Sequence, residues 1–152
     1  MKPANAGRAV ASLQRVRELR VRVSQAALAS AQKAMREALA DQARCEDAVA
    51  LAHVQRAAYE REVFDQMAFQ EHTQTTVRDA MVRLKALALR IDAHREQLSA
   101  AIDHSASCEE LQRAARRRLE DHERARLKVD ELAQRLEASV AAQAQQREEE
   151  GP

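Results

Sequence analysis

Glycine and proline are almost missing from this chain. Pro3 and Gly7 stand at the front, Gly151 and Pro152 at the end, and none lies between Arg8 and Glu150. In a helix interior glycine costs about 1 kcal/mol and proline about 3 kcal/mol relative to alanine. A globular domain of this size needs glycine for its turns. A chain without it can make very few, so most of its length is predicted to be long helix. Aromatic residues are equally scarce: two phenylalanines, one tyrosine and no tryptophan. They cannot fill a thick core. Two cysteines, Cys45 and Cys108, do not build a secreted disulfide framework. No long apolar run exists either. The most hydrophobic stretch, around Met81 to Ile91, is interrupted by Arg83, Lys85 and Arg90, which excludes a membrane span and direct membrane insertion. The chain reads as cytoplasmic. Nor is there a Gly-rich loop to cradle phosphate, so no P-loop or dinucleotide site is expected. A thin helical assembly has no pocket in which to hold a nucleophile beside a base. Catalysis is therefore not expected, and no cofactor is implied.

What is present is helix-forming. The chain has 33 alanines, and most of the remainder is Leu, Arg, Glu and Gln. Alanine at many apolar positions points to close, thin packing, as in a coiled coil. All three threonines cluster at the midpoint, as Thr73, Thr75 and Thr76. Threonine loses rotamer freedom in a helix and competes for backbone hydrogen bonds. Thr76 with Asp79 has the spacing of a helix cap. The expected fold is therefore all-α: a long antiparallel two-helix coiled-coil hairpin with a disordered 1–7, helix 8–71, turn 72–76, helix 77–149 and a tail at 150–152.

The apolar stripe supports that reading. Leu28, Ala31, Met35, Ala38, Gln42, Cys45, Val49 and Ala52 alternate by three and four, and Tyr59 and Val63 extend the series. In the second arm Val77, Ala80, Leu84, Leu87, Ile91, His94, Leu98 and Ala101 do the same. Ala115, Arg118, His122, Ala125, Val129, Leu132 and Leu136 resume the rhythm after a ten-residue jump from Ser105. A phase jump of that kind overwinds a coiled coil locally, so a kink is expected near 103–108. A true helix break there is the alternative, because Ser107 and Glu110 have capping-box spacing. With the turn centred near 74–75, Leu13 should face Leu136, Val16 face Ala133, Tyr59 approach Ile91 and Val49 approach Leu98.

Charge follows position although the net charge is only +1. Residues 1–40 hold eight Lys or Arg against two acids, residues 41–76 three against seven, and residues 113–128 seven against three. A hairpin brings the first and third blocks together. Arg8, Arg15, Arg17, Arg20, Arg22, Arg124, Arg126 and Lys128 are the residues expected to meet an acidic partner. Solvated faces of a soluble coiled coil, braced by i,i+4 pairs, are the ordinary alternative. Nucleic acid is disfavoured by the neighbouring acids and the lack of aromatics for base stacking. Cys45, His104 and Cys108 could converge with Asp41 on a zinc ion. The same cysteines serve equally as small seam hydrophobes, and no metal site is assigned.

Two segments carry a family resemblance. Leu87-Ala-Leu-Arg-Ile-Asp-Ala-His-Arg-Glu-Gln-Leu98 has Ile91, His94, Arg95, Gln97 and Leu98 in the relevant pattern, and Tyr59-Glu-Arg-Glu-Val-Phe64 ends the first helix in a similar way. With the hairpin proportions, the chain resembles the stalk proteins of type III secretion systems, FliJ in flagella and YscO in injectisomes. The resemblance implies a non-enzymatic central stalk. Its paired chain ends would enter the hexameric secretion ATPase and promote its assembly and turnover. Its turn-proximal part would point to the cytoplasmic domain of the export gate, peripheral to the inner membrane, with a link to export chaperones. Tyr59, Val63, Leu87 and His94 match positions near the export-gate contact; seam packing is the alternative for them. The lack of tryptophan favours the injectisome branch. Rival readings are a generic coiled-coil scaffold or chaperone and a stator subunit of the ATPase, though the glycine-spaced repeats of stators are missing.

Overall fold

The computed structural model describes residues 3–69, 71–149 and 151. Within them the chain forms two helices, α1 (Pro3–Phe69) and α2 (Gln74–Glu149), which pack against each other as an antiparallel hairpin. Helix α1 starts earlier than expected, through the segment 3–7 read as disordered. Proline is at home in the first helical turn, where its missing N–H has no partner to lose. Gly7 sits in open space inside α1 and costs about 1 kcal/mol without breaking it. Residues 1–2 of that segment, Gln70, and Glu150 and Pro152 of the tail lie outside the described residues.

The reversal is earlier too. Helix α1 ends at Phe69 rather than 71 and α2 begins at Gln74 rather than 77. Thr73, not Thr76, is the cap. Its Oγ1 accepts a hydrogen bond from the Thr76 amide at 3.3 Å, and its carbonyl accepts one from the Val77 amide at 3.3 Å. These satisfy part of the exposed first turn of α2. The Thr73 and Thr76 hydroxyls lie 2.8 Å apart. At the other end, the His72 ring donates to the Gln66 carbonyl at 3.0 Å. A side chain thus covers each helix end, and the turn needs no glycine.

The least exposed side chains trace two unbroken heptad seams. On α1 the seam runs Val10, Gln14, Arg17, Val21, Ser24, Leu28, Ala31, Met35, Ala38, Gln42, Cys45, Val49, Ala52, Arg56, Tyr59, Val63. On α2 it runs Ala80, Leu84, Leu87, Ile91, His94, Leu98, Ala101, Ser105, Cys108, Gln112, Ala115, Leu119, His122, Arg126, Val129, Ala133, Leu136. Strict alternation of three and four is the coiled-coil signature. It corrects the expected phase jump after Ser105. The seam passes through Ser105, Cys108, Gln112 and Ala115 in step, and α2 stays helical across 103–108. Past that point the seam uses Leu119, Arg126 and Ala133 rather than Arg118, Ala125 and Leu132; Leu132 is 54% exposed. The jump arises only if polar residues are barred from the seam. Ser105 and Ser107 send their hydroxyls to carbonyls of their own helix, Ile102 and Asp103, so neither caps a new one.

The helix pair divides into two compact units, Met1–Lys33 with Glu110–Pro152 and Ala34–Glu109. In the second unit Ser105 Oγ lies 2.9 Å from both Gln42 Oε1 and the Ile102 carbonyl, so one hydroxyl proton serves two acceptors. Arg95 and His53 meet at 3.3 Å. Val49 and Leu98 are both half-buried. The Tyr59 ring carries the Arg83 guanidinium 4.6 Å from its centroid. In the first unit Gln14 Nε2 donates to Asp130 Oδ1 at 3.1 Å. Leu13 and Val16 are both exposed there, at 41% and 46%.

Ion pairs contribute to the helices more than to their pairing. Arg22–Glu18 (2.8 Å), Arg56–Glu60 (2.9 Å), Arg113–Glu110 (3.1 Å) and Arg135–Glu131 (2.5 Å) each lie within one helix. Exposed pairs of this kind add about 0.3–0.5 kcal/mol each. Pairing rests on Val21, Ala38, Ala52, Ala80, Ile91, Cys108, Val129 and Ala133, the buried apolar residues. Ser105, only 8% exposed, adds a directional contact. Ser105→Ala is expected to lower stability by about 1 kcal/mol through the lost hydrogen bond to Gln42, read from the urea midpoint. A change below a third of that would show the contact to be idle.

Candidate protein-interaction surfaces

The basic residues expected to meet a partner separate into two groups. Arg8, Arg15, Arg20, Arg22, Arg124 and Lys128 are exposed. Arg17 and Arg126 are not free for one. They occupy seam positions of the first unit, and the Nε of each is buried without a hydrogen-bond partner among the described residues. Arg17 is one turn after Gln14, and Arg126 one turn before Asp130. Both residues are half-buried, and their aliphatic stems fill seam volume.

Of the exposed set, Arg15 lines an open groove of about 440 Å³ in the first unit, together with Glu18, Asp130 and the seam residue Arg126. Glu18 bonds Arg22 at 2.8 Å. This edge is polar and partly neutralised. Arg8, Arg20, Arg124 and Lys128 make no ion pair among the described residues and carry the positive field.

In the second unit Tyr59, Val63, Leu87 and His94 are all half-buried seam residues. Tyr59 and Val63 line a groove of about 290 Å³ with His72, Thr76 and Asp79 beside the turn. Tyr59 and Leu87 line another with Arg83 and Arg90. The geometry thus brings Tyr59 together with Val63 and with Leu87. His94 instead turns along its own helix, its Nδ1 3.2 Å from Gln97 Oε1. Seam packing accounts for the burial of all four. Exposed apolar side chains that the pattern overlooked lie near the turn: Phe64 at 70%, Phe69 at 86% and Met81 at 63%. They stand outside the heptad stripe, and off-stripe aromatics in a chain with so few were the available signal.

Cys108 is buried and Cys45 half-buried, both at seam positions. Cys108 Sγ and His104 Nε2 are 3.8 Å apart, while Asp41 is bonded to Arg44. Among the described residues no three His, Cys, Asp or Glu side chains converge to hold a metal. Also among them, no helix is long and apolar enough to cross a membrane. Compared with known proteins, the chain matches no family model, no curated protein and no solved structure.

Proposed function

We propose that this chain is the non-enzymatic central stalk of a type III protein secretion apparatus. In this reading the first unit, built from both chain ends, enters the hexameric secretion ATPase and promotes its assembly and activity. The turn end faces the cytoplasmic domain of the export gate, and export chaperones are further partners. The protein then works in the cytoplasm, beside the inner-membrane apparatus. The observation that carries the reading is the placement of charge. Arg8, Arg15, Arg20 and Arg22 from α1 and Arg124 and Lys128 from α2 are exposed on one compact unit, on a hairpin that resembles those stalks in its 59–64 and 87–98 segments. Clustered exposed bases steer association with an acidic partner.

The test is ATP hydrolysis by the cognate ATPase with and without the purified chain. Wild type is expected to raise it. Replacing Arg8, Arg15, Arg20, Arg22, Arg124 and Lys128 with Glu should reduce the increment at least tenfold at unchanged helical content. Arg17 and Arg126 are left intact because they belong to the seam. Full stimulation by the charge-reversed protein would sink the basic-surface mechanism. No stimulation by wild type would favour the second reading, a coiled-coil scaffold or chaperone, which the exposed apolar side chains support.

A further inference from the structure

The two long edges of the first unit differ in kind. One is the polar groove of Gln14, Arg15, Glu18 and Asp130 already described. The other holds an open groove of about 300 Å³ with a floor of small residues, Ser24, Ala27, Ala114 and Ala115, and with Val23 and Leu111 on its walls. Val23 is 61% and Leu111 65% exposed. The heptad period extends this edge. Val16 lies one heptad before Val23, and Leu13 two heptads before Ala27. Ala125 and Leu132 lie two and three heptads after Leu111. Leu13, Val16 and Leu132 are likewise exposed, at 41%, 46% and 54%. Apolar side chains thus recur at helical spacing on both helices along one side, the arrangement that seats a third helix.

The same edge is charged with one predominant sign. Arg20 sits midway between Leu13 and Ala27 in the heptad series, and Arg118 midway between Leu111 and Ala125. Lys128 follows Ala114 by two heptads, with Asp121 as the acid between them. Arg20, Arg118 and Lys128 make no ion pair among the described residues. We propose that this edge is a docking seat for an amphipathic partner helix with a leucine-type stripe flanked by Asp and Glu. Small residues on the floor let the partner backbone approach closely. The walls of Val23 and Leu111 grip its apolar stripe, and the unpaired bases meet its acids. The inference stands on the first unit alone and does not depend on the secretion reading.

The probe is a designed four-heptad helical peptide with Leu at its seam positions and Glu at the flanks. A twin carries Lys at the flanks. Binding to the full chain is measured by fluorescence anisotropy, with light scattering of the chain alone. The acidic peptide is expected to bind at least tenfold more tightly than the basic one. Val23→Glu with Leu111→Glu should weaken it at least tenfold. Val23→Gln with Leu111→Gln, which adds no charge, should weaken it severalfold at unchanged helicity. Leu51→Glu with Val54→Glu, exposed apolar residues of the second unit, should leave it intact. Equal binding of the two peptides, or indifference to the Val23 and Leu111 changes, would overturn the proposal. A dimer of the chain that those changes dissociate would also overturn it, by assigning the edge to a second copy.

Discussion

Ile91→Ala is expected to destabilise the protein by about 2–3 kcal/mol, the lower part of the range for removing a buried isoleucine. Ile91 is 2% exposed and is the largest of the deeply buried side chains. Its neighbours along the seam, Leu87 and His94, are half-buried. A two-helix seam lies close to water and can partly close around a loss, which places the cost toward the low end. The melting temperature should fall by about 5–10 °C, given roughly 2–4 °C per kcal/mol for a chain of this length. Leu89→Ala is the control. Leu89 lies two residues away at 61% exposure, and its loss should stay within about 0.5 kcal/mol. Urea unfolding followed by helical circular dichroism measures both. Equal effects would mean that the α2 seam is not where the burial pattern puts it.

The second large effect has the opposite sign. Replacing Arg17 and Arg126 together with Leu is expected to stabilise the hairpin by about 1–2 kcal/mol, since a buried charged group is often worse than an apolar one of similar volume. Both Nε atoms are buried and unpartnered among the described residues, at seam positions of the first unit. Two leucines there remove the desolvation and add apolar contact. Arg17→Leu alone should deliver about half, because it leaves Arg126 in place. Specificity is expected to move the other way. Polar residues at seam positions are best attested as setters of register. Spin labels on Leu13 and Leu132 should report one narrow distance in the wild type and a broader distribution in the double variant. A double variant less stable than wild type would show that the arginines find compensation outside the seam.

These three seam positions also show how much could be read from the residue order. That Ile91 belongs to the buried stripe was legible, because an apolar residue at three-four spacing among Leu84, Leu87 and Leu98 has one face to occupy. That Arg17 and Arg126 belong to it was not, because their type says surface. Only a count carried strictly through polar positions would have placed them, and the same count would have kept Ser105 and Gln112 in step and removed the false jump. The exposed members of the basic set, Arg8, Arg15, Arg20, Arg22, Arg124 and Lys128, were legible as a cluster. The apolar edge formed by Val23 and Leu111 was not, since it exists only where two helices meet.

By itself the amino-acid order determined the helices, their number and their antiparallel pairing. Those rest on local physics: no breaker between Arg8 and Glu150, one cluster of threonines, and an apolar period that repeats within a few residues. The tertiary structure decided the register, the exact reversal at Thr73, the division into two units and the split of the arginines between seam and surface. An alanine-rich seam loses little when one helix slides a turn along the other, so apolar matching alone scarcely separates neighbouring registers. The choice falls to contacts far apart in the chain, Gln14 with Asp130 and Gln42 with Ser105, and to two caps at the turn.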